Sequence, residues 1–201
     1  MRAVVIPIAF VAASLAAQGC GSGPESKEGK SPEAKLLGLD ITGDKEVENF
    51  DLNGDNKADD WKTYVFRGPE DAPREKKVRL LAKHELDLDF DGRPDVVRVF
   101  NDQGAVVTEQ MDLDFDGKPD AIDYYADGVL YRRDLALDFA GKASIVKFYN
   151  DNQLTRKERD TNGDGKMDTI EYYEGGKLMR IGEDRDGDGK PDVYTEVNEG
   201  S

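Results

Sequence analysis

From Asp51 onward, short runs rich in β-branched and aromatic residues recur: WKTYVF, VVRVF, AIDYY, SIVKFY, TIEYY and VYTEV. Apolar and charged residues alternate along them, the period of an extended strand with two distinct faces. The middle runs are followed by turn chemistry (NDQG, ADG, NDNQ, EGG) and then by a second extended run: AVVTEQM, VLYRRDL, QLTRKER or KLMRIGE. A block of the form DxDxDGxxD, or a variant of it, stands before each first run. These blocks start at Asp51, Asp87, Asp112, Ala136, Asp160 and Asp184, in steps of 36, 25, 24, 24 and 24 residues. Self-similarity at a fixed period marks a repeat architecture, here a unit of loop, strand, tight turn and strand. The expected fold is all-β: repeated β-hairpins forming an elongated antiparallel meander of about eleven strands over residues 36–201, mostly one layer thick, with Asp-rich loops between hairpins.

The turns fix an expected register. Asp127-Gly128 suits a two-residue hairpin loop, which sets Ala126 against Val129, Tyr125 against Leu130, Tyr124 against Tyr131, and Asp123 against Arg132. Gly175-Gly176 likewise sets Tyr173 on Leu178, Tyr172 on Met179 and Glu171 on Arg180. The step of 25 follows from the three-residue loop Asp102-Gln103-Gly104, and the step of 36 from the long polar insert RGPEDAPREKK.

The acid-rich blocks carry the candidate chemistry. In DLDFDGRPD, Asp87, Asp89, Asp91 and Asp95 occupy positions 1, 3, 5 and 9. Gly92 at position 6 permits a sharp bend, and the carbonyl of Arg93 at position 7 can point inward. Hard oxygen ligands at this spacing suit Ca²⁺, whereas Mg²⁺ demands a stricter octahedron. Transition metals are disfavoured, because the loops contain neither His nor Cys. Four further loops keep the set: Asp51, Asn53, Asp55 and Asp59, with Asn56 in the glycine position; Asp112, Asp114, Asp116 and Asp120; Asp160, Asn162, Asp164 and Asp168; and Asp184, Asp186, Asp188 and Asp192. The copy LALDFAGKAS has Ala136, Ala140 and Ser144 at ligand positions and retains only Asp138. Because it keeps Phe139 and Gly141, it is expected to keep the turn without an ion, so that the acids elsewhere serve something other than the turn. The expected complement is up to five Ca²⁺ ions, whose binding contributes folding energy.

DxDxDGxxD resembles the calcium loops of thrombospondin type 3 repeats and of FG-GAP blades in integrin-like propellers. That resemblance implies side-chain ligands at positions 1, 3, 5 and 9. DTNGDGKMDTIE also matches an EF-hand loop, with Glu171 at position 12. The following TIEYYEGG is β-branched and aromatic and breaks at two glycines, which argues against an EF-hand's exiting helix. The period and YYEGGKL resemble MORN-type hairpin repeats.

Residues 1–19 differ in kind. Arg2 precedes an apolar run from Ala3 to Ala17, the pattern of an export signal rather than a spanning helix. LAAQGC resembles the lipobox of bacterial lipoproteins, which implies cleavage before Cys20 and lipid on its sulfur and amine; Gly21 is compatible with outer-membrane sorting. The alternative is an ordinary signal peptide with an incidental thiol. Cys20 is the sole cysteine, so no internal disulfide is possible. Residues 20–35 are rich in Gly, Ser, Pro, Glu and Lys and read as a flexible tether.

A net charge of −15 points to cations as partners and away from nucleic acid. No phosphate loop, zinc signature or nucleophile elbow appears, and the one histidine, His84, reads as a strand residue. The sequence therefore leads to a non-enzymatic expectation: a calcium-binding, lipid-anchored repeat protein of a bacterial envelope, in the outer membrane, with a structural, adhesion or assembly role. The alternative is a calcium-dependent binding module for a glycan or an envelope protein. Trp61 and the tyrosines are expected to stack along the sheet.

Overall fold

The computed structural model describes residues 34–136 and 142–197. The signal, Cys20 and the centre of the Ala136 copy (137–141) lie outside the described residues. The strands are β1 (Lys35–Thr42), β2 (Lys45–Asp51), β3 (Asp60–Arg67), β4 (Val78–Leu86), β5 (Val96–Phe100), β6 (Val106–Met111) and β7 (Ala121–Ala126). There follow β8 (Val129–Leu135), β9 (Ile145–Asn150), β10 (Gln153–Arg159), β11 (Thr169–Glu174), β12 (Lys177–Glu183) and β13 (Val193–Glu196). They form one antiparallel sheet in chain order, β1 through β13. The meander is therefore as expected. The two extra strands are the β1–β2 hairpin, which turns at Gly43-Asp44 and precedes the first acidic loop.

The turns behave as their residues dictate. Asp127 and Gly128 have φ of 51° and 78°, and Gly175 and Gly176 have 56° and 82°. Both central residues of a type I′ hairpin must be left-handed in this way, and that geometry matches the strand twist. The pairing close to each turn is the expected one: Ala126↔Val129, Tyr125↔Leu130 and Tyr173↔Leu178.

One step further out, the expected register fails. Tyr124 faces Arg132 rather than Tyr131, and Asp123 faces Arg133. Tyr172 faces Arg180 rather than Met179, and Glu171 faces Ile181 rather than Arg180. The cause is a β-bulge that leaves Tyr131 or Met179 unpaired. The same skip occurs at Ala82, Val107 and Thr155, so the bulge recurs with the repeat. The bulged Tyr131 and Met179 side chains are exposed.

The bulge realigns the two faces. On one face, a row crosses seven strands from β7 to β13: Tyr124, Arg132, Phe148, Arg156, Tyr172, Arg180 and Tyr194. The Arg132 guanidinium lies 5.2 and 5.9 Å from the Tyr124 and Phe148 ring centres, Arg156 4.0 Å from Phe148, and Arg180 4.6 and 4.8 Å from Tyr172 and Tyr194. Each guanidinium stacked on a ring face gains on the order of 0.5–2 kcal/mol. The opposite face carries ion pairs: Arg98 with Glu109, Arg133 with Asp123, and Lys157 with Glu171 at 2.7 Å. Arg159 reaches the other Glu171 oxygen at 2.9 Å, and the Tyr173 hydroxyl donates to the same carboxylate. His84 stands in β4 with Nε2 2.8 Å from Asp60 Oδ1, a strand residue as expected. Among the described residues, the fully buried hydrophobics are only Ala121, Ala136, Val146 and Ile170. Stacked cations and paired charges carry much of what a second layer would otherwise supply.

The acidic loops all lie at the same end of the strands, opposite the hairpin turns, and are joined by backbone hydrogen bonds. The position-1 amide of each loop donates to the position-9 carbonyl of the loop before it: Asp87 to Asp59 and Asp112 to Asp95 at 2.8 Å, and Asp184 to Asp168 at 2.8 Å. The flanks of the acid-poor copy keep this ladder, with Ala136 donating to Asp120 at 2.7 Å and Asp160 to Ser144 at 2.9 Å.

Two outcomes follow. Gly117 has φ +86°, and an added Cβ would lie 2.7 Å from Arg93 Nη1. Gly117→Ala is expected to lower unfolding free energy by about 1–3 kcal/mol in denaturant titration. Gly38→Ala, whose Cβ would make only an ordinary 3.8 Å contact, is expected to be tolerated. The second outcome concerns Glu171. Burial pushes its carboxyl up, but hydrogen bonds from Lys157 and Tyr173 outweigh this and hold it below its ordinary 4.5. A depressed carboxylate contributes stability that is present above the unfolded-state value and lost as pH falls through the folded-state value. Glu171→Gln is therefore expected to cost about 1–3 kcal/mol at neutral pH, and the deficit relative to wild type should shrink below pH 4.5.

Candidate metal loops

The five acidic loops share one hydrogen-bond plan. The position-1 carboxylate lies beneath the loop and accepts two backbone N–H groups, from positions 4 and 6. For Asp87 these come from Phe90 and Gly92, both at 2.7 Å; for Asp184 they come from Gly187 and Gly189, at 2.8 and 2.7 Å. The position-9 carboxylate accepts N–H groups from positions 2 and 3 on one oxygen, as Asp59 Oδ2 does from Leu52 and Asn53 at 2.9 and 3.3 Å. Positions 3 and 5 each accept the N–H two residues on, as Asp89 does from Asp91 and Asp91 from Arg93. These local side-chain bonds are the Asx-turn chemistry of aspartate. The acids therefore do hold the turn, which corrects the expectation that they serve only something else.

This plan forces positions 4 and 6 into left-handed backbone. Glycine fills both in the loops starting at Asp160 and Asp184. Phe90 and Phe115 hold position 4 at φ 66° and 64°, and Asn56 holds position 6 at 65°. Both phenylalanines are exposed, as are Leu88 and Leu113 beside them.

The same plan brings carboxylate oxygens of position 1, position 9 and position 3 or 5 close to one another. Oxygens of Asp51, Asp55 and Asp59 lie within 4.8 Å of one another, and so do those of Asp87, Asp89 and Asp95; of Asp112, Asp114 and Asp120; and of Asp184, Asp186 and Asp192. Positions 1 and 9 are deeply buried in the first three of these loops: Asp51, Asp59, Asp87, Asp95, Asp112 and Asp120 are all at most 7 % exposed. Such triads of hard, negative oxygens could hold a metal ion.

Other expected residues stay outside these groups. Asp91 and Asp116 at position 5 pair with the basic residue at position 7 of their own loop, with Arg93 Nε 3.4 Å from Asp91 and Lys118 Nζ 2.8 Å from Asp116; Asp55 pairs likewise with Lys57, at 3.7 Å, and still joins its triad. Asp188 also lies outside its triad. The Asp160, Asp164 and Asp168 carboxylates do not converge. Asn53 and Asn162 use their side-chain carbonyls to accept the Asp55 and Asp164 amides, each at 2.8 Å. Sequence reasoning overlooked the position-7 bases as partners of the neighbouring loop. Lys166 Nζ lies 3.2 Å from the carbonyl of Gly187, and Arg93 crowds Gly117. Their spacing, one per repeat, was visible in the sequence.

Electrostatics differ among the loops. Burial, together with the charges of Asp116, Asp120 and Asp112, pushes the Asp114 carboxyl up. Burial also raises Asp87, despite its two amide donors. In the loop at Asp51 the same burial is outweighed by the Gly54 and Asn56 amides and by Lys35, so Asp51 is held low. Asp168 is held low by the Thr161 hydroxyl and amide.

No family model matches the chain, and no curated protein matches it. Several solved structures are similar to part of the chain. One is the Glycosylation Associate Protein (Gap123) complex from Streptococcus agalactiae, at 20 % identity and TM-score 0.37, over 46 % of this chain and 18 % of that one. Another is the pneumococcal O-GlcNAc transferase GtfA in complex with UDP and GlcNAc, at 19 % identity and TM-score 0.38, over 51 % and 19 %. A third is TarM of S. aureus, at 12 % identity and TM-score 0.34, over 44 % and 18 %. The chain spans about a fifth of the length of these proteins. A non-enzymatic role was expected from the missing catalytic motifs. It is corrected by these neighbours, which include glycosyltransferases, although a partial likeness of this kind assigns no activity to the chain.

Proposed function

We propose that the chain is a calcium-binding, lipid-anchored repeat protein of the bacterial envelope, in which Ca²⁺ rigidifies the loop end of the sheet for a structural, adhesion or assembly role. The observation that carries this reading is the convergence of three carboxylates within 4.8 Å in each of four loops of a regular row. Clustered like charges raise the energy of the ion-free state, and a divalent cation removes that repulsion. Oxygen-only ligands and an irregular, partly exposed shell suit Ca²⁺ better than Mg²⁺. Anchoring rests on LAAQGC and Cys20, with an outer-membrane position as its extension.

A second reading is a calcium-dependent module for an envelope glycan or protein. The exposed Leu88, Phe90, Leu113 and Phe115, placed on two adjacent metal loops, favour it. Capture of envelope material that disappears with chelator would select this reading, and capture indifferent to chelator would remove it.

Calcium titration by calorimetry is expected to give dissociation constants of about 10⁻⁴–10⁻³ M. Ion at 100 times the dissociation constant is expected to stabilise the fold by about 2.7 kcal/mol per site. This is read as a rise in Tm by circular dichroism, with Mg²⁺ giving less. Absence of binding heat, with an identical Tm in EGTA, would contradict the reading. Labelled fatty acid is expected to enter the wild-type chain in a bacterial host and not Cys20→Ser; an unlabelled wild type would remove the anchor.

A further inference from the structure

We infer that the loops fill in a fixed order, with the loop starting at Asp112 taking the first Ca²⁺ and the loop starting at Asp160 the last. This deepens the calcium reading and rests on it. The difference lies in what each loop does with its position-9 carboxylate. In the Asp112 loop, Asp120 Oδ2 accepts the amides of Leu113 and Asp114 at 2.7 and 3.3 Å. The other oxygen, Asp120 Oδ1, is buried and has no hydrogen-bond partner among the described residues. Asp120 is only 3 % exposed and groups with the Asp112 and Asp114 carboxylates. A buried, unpartnered carboxylate oxygen is costly, and a cation is the partner that removes the cost.

The Asp160 loop has answered the same need internally. Asp168 Oδ2 accepts the Thr161 amide and hydroxyl, both at 2.8 Å, and the Asn162 amide at 3.1 Å. Its Oδ1 accepts the Asn162 side-chain amide at 3.1 Å. The Asn162 carbonyl is turned toward the Asp164 N–H, which fixes the NH₂ group toward Asp168. A cation here must displace a hydrogen-bond donor from Asp168 and finds no converged triad. The loops at Asp87, Asp112 and Asp184 have aspartate at the position of Asn162 and converge; the Asp51 loop has Asn53 there and converges through Asp55 instead, so it is the bond from the Asn162 side-chain amide to Asp168, and not asparagine alone, that sets the Asp160 loop apart.

The test is Ca²⁺ titration of the full chain by calorimetry, with stoichiometry from equilibrium dialysis, on wild type and three single variants. Asp120→Asn is expected to weaken the tightest binding phase by about tenfold or more, and Asp168→Asn to leave that phase unchanged. Asn162→Asp, which removes the internal donor and supplies a carboxylate, is expected to strengthen the weakest phase by about tenfold or more. Circular dichroism confirms that each variant keeps the wild-type sheet. Equal effects of Asp120→Asn and Asp168→Asn, or no gain in Asn162→Asp, would overturn the order while leaving the calcium reading intact. A wild-type chain that takes up no Ca²⁺ would overturn both.

Discussion

The buried aspartate carboxylate that accepts backbone N–H groups is the interaction on which the rest depends. Without it, the sharp left-handed bends at positions 4 and 6 would leave amides unpaired in the loops that join one hairpin to the next. With it, each acidic loop closes, and a row of like corners runs along one end of the sheet, joined by a backbone ladder. The same carboxylates lie close together, so the device that makes the turn also makes a candidate cation site. The turn and the candidate cation site share the same residues here. The copy at Ala136 shows the ladder surviving on its flanks without the acids.

A sheet with few buried hydrophobic residues needs other sources of cohesion. The arginine–aromatic row passes from one hairpin to the next at Arg132–Phe148 and Arg180–Tyr194, and Glu171 joins β11 to Lys157 and Arg159 of β10 on the other face, so these hairpins are tied to their neighbours rather than to a central core. The recurring bulge makes this possible. By skipping one residue per hairpin it brings Arg132 and Arg180 opposite Tyr124 and Tyr172, and turns Tyr131 and Met179 outward.

Much of this was legible in the sequence, because its signals are local. Alternation gave the strands, Asp-Gly and Gly-Gly gave the turns, and aspartate spacing gave the loops. The bulge was not legible, since no residue marks it: Ala82, Val107, Tyr131, Thr155 and Met179 share only their place in the repeat. The β1–β2 hairpin escaped because the repeat was counted from its aspartates and this hairpin precedes the first of them, although Gly43-Asp44 marks its turn. The Asp160 loop looked equivalent to the others, because the side-chain bond from Asn162 to Asp168 is a matter of geometry and not of spacing.

The most direct test of the central claim is anomalous scattering from crystals of the protein grown with Ca²⁺ and then with a lanthanide in its place. The account predicts a line of peaks at the loop end of the sheet, about 9–10 Å apart for adjacent occupied loops, the width of two strands, each touching the carboxylates of one triad. Peaks scattered over other acidic residues, or ordered loops with no peak at Asp112, Asp114 and Asp120, would contradict it.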